Sequence, residues 1–171
     1  ISGNMGRRGL SISGFSFVGP SLTITDSIIN DNTSGGMSIS VTTTITNSII
    51  SGNQTSGTGG GIVQSGVLTI MGSTISGNTA NQSGGGIFAY DDSTVSLANA
   101  LIAGNTASIR PDCRGVLTSL GHNLIGDTTG CSFTPATGDL VNVDPMLGPL
   151  EDNGGPTFTH ALLDGSPAID A

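Results

Sequence analysis

The sequence predicts an all-β chain wound as a right-handed parallel β-helix of about five to seven coils. Three observations lead there. A phrase recurs, since residues 48–62 read SIISGNQTSGTGGGI and residues 73–87 read STISGNTANQSGGGI. Its Asn returns as Asn4, Asn32, Asn53, Asn78 and Asn105, about 21 to 28 residues apart, which is the length of a solenoid coil. At fixed distances from that Asn the residue is apolar: Ile1, Ile29, Ile50, Ile75 and Ile102 stand three before it, and Ile24, Ile45, Ile70 and Leu97 stand eight before the last four. Equivalent positions of successive coils stack about 4.8 Å apart in a parallel β-helix, so like sits on like and the Ile columns fill the interior. A β-sandwich would not require the same residue type in every repeat. Gly, Asn and β-branched residues with no sustained 3.6-residue period exclude a helical reading.

Each coil is then read in order. An L-T-I-like strand runs to a turn position held by Asp26, Asn47, Gly72 or Asn99. A small residue follows where the coil bends (Ser27, Ser48, Ser73, Ala100), and an S-x-I strand comes next. The Asn of the repeat is expected to take the left-handed turn and to hydrogen-bond to its own image one coil away. A loop of variable length leads to a third strand at Gly-Gly-Met37, Gly-Gly-Gly-Ile62 and Gly-Gly-Gly-Ile87. Residues 1–111 thus carry the regular coils. Residues 112–171 supply one or two further coils through Leu117 to Ile125 and an irregular capping segment packed on the side or end.

Composition narrows the function. With 28 Gly, no Lys, no Trp and 9% charged residues, the chain draws its surface polarity from Ser, Thr, Asn and Asp. A net charge of −8 with four Arg excludes a nucleic-acid partner. No apolar run approaches the roughly 20 residues that cross a bilayer, so this segment inserts in no membrane, and no signal segment opens it. The chain is read as processed or as a piece of something longer. Cys113 and Cys131 are too few for a disulfide scaffold and not spaced as a zinc site; the expectation is one bridge in an exported protein, with buried free thiols as the alternative.

The repeated GGGI and I-S-G-N elements resemble the repeats of bacterial surface β-helix proteins, including the GGAI and FxxN repeats of polymorphic outer-membrane proteins, with Ile in place of Phe. SLGHNLIGD, DPMLGPLEDNGGPTFTHAL and GSPAID resemble the C-terminal part of the β-helix domains called choice-of-anchor Q. The resemblance implies a secreted or surface-anchored bacterial protein whose anchor follows the domain. It assigns no reaction.

Residues arranged for chemistry are few. A polysaccharide lyase needs Asp residues on calcium and a Lys or Arg base, but Arg7, Arg8, Arg110 and Arg114 lie away from the regular middle. Asp91 and Asp92 are the nearest approach to a glycosidase pair, and adjacent strand residues point to opposite faces. His122 and His160 have no triad or metal partners at a telling spacing and are expected to bond to loops. Asp139, Asp144 and Asp152 are candidates for a structural calcium, against the simpler reading of Asx turns. The triple glycines lack the Lys of a phosphate loop. VTTTIT at 41–46 suggests a flat Thr row of the kind that orders ice, but with SGVLTI taken as the matching run no wide array is expected. Asn32, Asn53 and Asn81 head glycosylation sequons.

These readings point to a non-catalytic extracellular or cell-surface module, structural or adhesive, able to stack head to tail in a filament. The alternative is a carbohydrate-binding or polysaccharide-cleaving β-helix, which aromatics at 4% and a single Tyr, Tyr90, disfavour. No cofactor is expected. The expected partners are a flanking segment or second copy covering the N-terminal coil, Ile1 to Leu10, and a surface glycan or protein ligand.

Overall fold

The computed structural model describes residues 3, 9–12, 21–155 and 157–169. Its first turn holds β1 (Leu10–Ile12), β2 (Ser21–Thr25) and β3 (Ile28–Asn30). The second holds β4 (Met37–Ile39), β5 (Thr42–Thr46), β6 (Ile49–Ser51) and β7 (Gln54–Thr55). The third holds β8 (Ile62–Gln64), β9 (Val67–Met71), β10 (Thr74–Ser76) and β11 (Thr79–Ser83). The fourth holds β12 (Ile87–Ala89), β13 (Thr94–Ala98), β14 (Leu101–Ala103) and β15 (Thr106–Ile109). Two shortened rungs follow, β16 (Cys113–Ser119) with β17 (Leu124–Ile125), and β18 (Cys131–Thr134) with β19 (Leu140–Val141). An antiparallel pair, β20 (Leu147–Glu151) and β21 (Thr159–Leu162), comes last.

Corresponding strands stack in parallel, making a β-solenoid of about four turns. That is fewer than the five to seven expected. Beyond Arg110 no strand is added to the β7–β11–β15 wall, and Cys113 and Cys131, on successive rungs, are only 18 residues apart. The first wall is β1, β4, β8, β12 and β16; the second is β2, β5, β9, β13, β16 and β18. The third is β3, β6, β10, β14, β17 and β19, and the fourth is β7, β11 and β15. Because β16 runs unbroken through a corner, it joins the first two walls into one sheet.

Both apolar columns stack as expected. Ile29, Ile50, Ile75, Ile102 and Ile125 are in register along the third wall, and Ile24, Ile45, Ile70 and Leu97 along the second. All are buried in one core. The column Asp26, Asn47, Gly72 and Asn99 takes left-handed φ values of 47, 48, 54 and 49° and turns each coil between its second and third walls.

The other turn departs from expectation. The left-handed residue is the one before the repeat Asn, namely Gly3, Asp31, Gly52, Gly77 and Gly104, with φ of 56 to 68°. Turning there leaves the Asn side chain free to point inward, and glycine takes that conformation without a β-carbon penalty. The segment read as a variable loop contains β7, β11 and β15, held by rung-to-rung backbone bonds whatever the side chains. The glycines before the first wall have a steric reason. A β-carbon on Gly36 would lie 2.6 Å from the Gly61 carbonyl oxygen, and one on Gly61 the same distance from that of Gly86.

The tail settles on the side, not the end. His160 Nε2 lies 3.2 Å from Ser76 Oγ, and Nδ1 lies 2.8 Å from the Gly148 carbonyl, so the β20–β21 hairpin covers the outer face of the third wall. At the other end, Gly3 N–H donates to Asn30 O at 3.2 Å, a rung contact beneath the first turn, while Gly9 N–H donates to Gly35 O at 3.0 Å and extends the β1–β4 pairing between the first turn and the second. Ile1 and most of Ile1 to Leu10 lie outside the described residues.

Candidate functional site

The repeat Asn residues form one buried ladder. Asn53 Oδ1 accepts the Asn32 amide at 2.8 Å, Asn78 Oδ1 that of Asn53 at 2.9 Å, and Asn105 Oδ1 that of Asn78 at 2.9 Å. Each oxygen also accepts the backbone N–H of the preceding Asn. The Asn53, Asn78 and Asn105 amides donate in addition to the carbonyls of Ile29, Ile50 and Ile75. Every rung is thereby tied to the next by side chain as well as backbone, which satisfies polar groups that burial would otherwise leave costly. Asn32 and Asn53 are fully buried, so of the three sequons only that of exposed Asn81 offers its amide to solvent.

Sequence reasoning missed how the ladder ends. Asp112 Oδ1 accepts from the Asn105 amide at 2.9 Å and from its N–H at 3.0 Å, while Oδ2 accepts the Asp127 N–H at 2.7 Å. Burial pushes this carboxyl above the ordinary aspartate range, against the lowering effect of its hydrogen bonds. No repeat spacing signals it, since Asp112 follows Asn105 by seven residues and reaches across from the column that holds Gly86 in the coil before.

A second file starts from the small-residue column. Ser27 N–H donates to Ser48 Oγ and Ser48 N–H to Ser73 Oγ; Ala100 offers no acceptor, and the file resumes as Ala100 N–H to Asn123 Oδ1 and Asn123 N–H to Asp139 Oδ1. It too ends on a carboxylate. Burial would raise Asp139, but hydrogen bonds from Ser119, the Ala136 and Asn123 N–H groups and the Asn123 amide outweigh it and hold the carboxyl below its ordinary value.

Asp144 and Asp152 accept the N–H groups of Met146 at 2.8 Å and Gly154 at 3.0 Å, each within its own loop. Among the described residues no three His, Cys, Asp or Glu side chains converge in a metal-holding group. His160 anchors the hairpin beside a cleft of about 260 Å³, and His122 lines a different one with Asn123 and Leu140. The structure does not bring the two histidines together.

One surface cluster is less ordinary. Arg114 donates to the Ala89 carbonyl at 2.6 Å, pairs with Asp91 at 2.8 Å, and lies 4.8 Å above the Phe88 ring. Phe88 meets Tyr90 edge to face at 5.2 Å. Tyr90, Asp91, Asp92 and Ser93 form a corner twice as long as Ser40–Val41 or Ser65–Gly66 at the same place in the coils before. The only Tyr of the chain therefore stands exposed on a projection beside an Arg and two Asp.

Cys113 and Cys131 are bonded, with Cα atoms 5.5 Å apart. Cys113 is buried in the first wall, and Cys131 pairs in register with Gly115, so the bridge ties β16 to the rung above it. It pins the last coil and not the hairpin tail. No family model, curated protein or solved structure matches the chain.

Proposed function

We propose that this chain is a non-catalytic structural or adhesive module of a bacterial surface protein, of the choice-of-anchor Q kind that its tail resembles, and that it works outside the cell. The observation that carries this reading is the Cys113–Cys131 bridge, which suits an oxidising compartment. The amide ladder supports it as well, because these buried polar side chains hold successive rungs together. Head-to-tail stacking is part of the proposal. β18 and β19 have no outer-edge partner among the described strands, and Phe133 and Val141 stand half-buried beside those edges. Antibody labelling of intact cells, with mass measurement of the recovered protein under non-reducing conditions, tests location. Labelling only after permeabilisation, with two alkylatable thiols, would refute it.

The Phe88–Tyr90–Asp91–Arg114 cluster favours a second reading, carbohydrate binding, since an exposed aromatic beside charged hydrogen-bonding groups suits a sugar ring. The chain has no Trp and no other Tyr, so tyrosine fluorescence titrated with neutral disaccharides reports on this corner alone. A saturable change that Asp92→Ala weakens supports the reading; a flat titration removes it.

A further inference from the structure

The backbone register overturns the expectation that the Thr row stops after one coil. Thr44 sits over Thr69, not one residue away, because Ile45 pairs with Ile70. Followed across the second wall, the outward column reads Thr23, Thr44, Thr69, Ser96, Thr118 and Thr134, a hydroxyl at every rung. Beside it stand Thr42, Thr46 and Thr94 and the methyl-bearing Val67, Met71 and Val116, the last three well exposed. None of the outward side chains of β2, β5, β9, β13 and β18, nor of Val116 to Ser119, is charged or aromatic.

We propose that this face binds ice. Rungs about 4.8 Å apart crossed by outward residues about 6.6 Å apart make a regular two-dimensional grid, with both spacings fixed by the backbone. Such spacings are comparable to the oxygen repeats on ice surfaces. Each hydroxyl offers a donor and acceptors to a lattice water, and the methyl groups between them order the water they cannot bond. The absence of charge decides between occupants. A neutral water lattice docks without stripping hydration from an ion, whereas a folded protein partner is ordinarily gripped by Arg and aromatic anchors, which this face lacks. The hairpin lies against the third wall and the Arg114 cluster on the first, so neither of these two described features occupies the second wall. The proposal is independent of where the protein resides.

The test uses the full chain and ice itself. Thermal hysteresis, ice-crystal shaping and partition into slowly growing ice are measured for the wild type, for Thr69→Lys and Thr44→Lys on the face, and for Asn81→Lys on the fourth wall. The expected result is faceted crystals and enrichment in ice for the wild type and Asn81→Lys. Both activities are lost in the two face variants, whose unfolding midpoints stay unchanged. Wild-type exclusion from ice with unshaped crystals would overturn the proposal. So would a dimeric mass that Thr69→Lys converts to a monomer, because the face would then be occupied by a second copy.

Discussion

The Asn105 side-chain amide donates a hydrogen bond to Asp112 Oδ1 at 2.9 Å, so a file of neutral amides running from Asn32 ends on a buried acid. The members act as one hydrogen-bonded unit, and removing one leaves its neighbours without partners.

Replacing Asn78 by Ala deprives the Asn53 amide and N–H of their acceptor and the Ile50 carbonyl of its donor. The expected loss is about 3 kcal/mol of unfolding free energy, from several orphaned buried groups at roughly 1–3 kcal/mol each. Urea unfolding measures it, with Asn81→Ala, on the exposed surface, expected to change little.

The two terminal carboxylates give opposite pH dependences. Asp112 is raised in the fold, so the folded state binds more protons than the unfolded one above the ordinary aspartate pKa of about 3.9; its stabilising contribution is complete below that value and is lost as pH rises through the folded pKa. Asp139 is lowered, so its contribution is present above about pH 3.9 and is lost as pH falls through the folded pKa. Urea midpoints followed against pH should lose the falling component in Asp112→Asn and the rising component in Asp139→Asn. Identical profiles for wild type and both variants would contradict these assignments.

Removing the bridge with Cys113→Ala and Cys131→Ala should cost about 3 kcal/mol in the chain-entropy account of a loop of this size. Hydrogen exchange should show the loss concentrated in β16 to β19, with the Asn ladder of the earlier turns still protected.

Gln64 is fully buried in β8, in register with Ile39 and Ala89, and neither atom of its amide has a hydrogen-bond partner among the described residues. Gln64→Met keeps the shape and removes the polar atoms. Thermal unfolding should show a gain of about 1–3 kcal/mol.

Ile75 lies at the centre of its column with no exposed surface. Ile75→Asp should abolish folding, since an unpaired buried charge costs several kcal/mol, and Ile75→Ala should leave a folded protein weakened by about 2–5 kcal/mol. Circular dichroism separates the two outcomes.

The columns were legible because stacking copies residue type from coil to coil, and Ile45 over Ile70 already implied Thr44 over Thr69. The Thr face stays hidden when VTTTIT is set against SGVLTI, one residue out of register with the backbone pairing. β7, β11 and β15 were hidden because their polar residues look like loop and only backbone bonds make them strands. Neither Asp112 nor the file-ending role of Asp139, which the sequence offers only as a calcium or Asx-turn candidate, is legible from the repeat, because each joins its file from outside the repeat spacing. The side-lying hairpin depends on the contact between His160 and Ser76, which are 84 residues apart and share no local pattern.

Tension gives the Cys113–Cys131 bond a further meaning. If the chain is pulled from its C-terminal side, the hairpin and then the outermost rung peel away first, since each rung is held mainly by the one beneath it. The load then reaches Cys131 and passes through sulfur directly to Cys113, bypassing the 18-residue span that contains β16 and β17. About 60 Å of extended chain is thereby withheld from stretching. An anchor attached beyond the hairpin would tug against a clasp placed where the regular coils end.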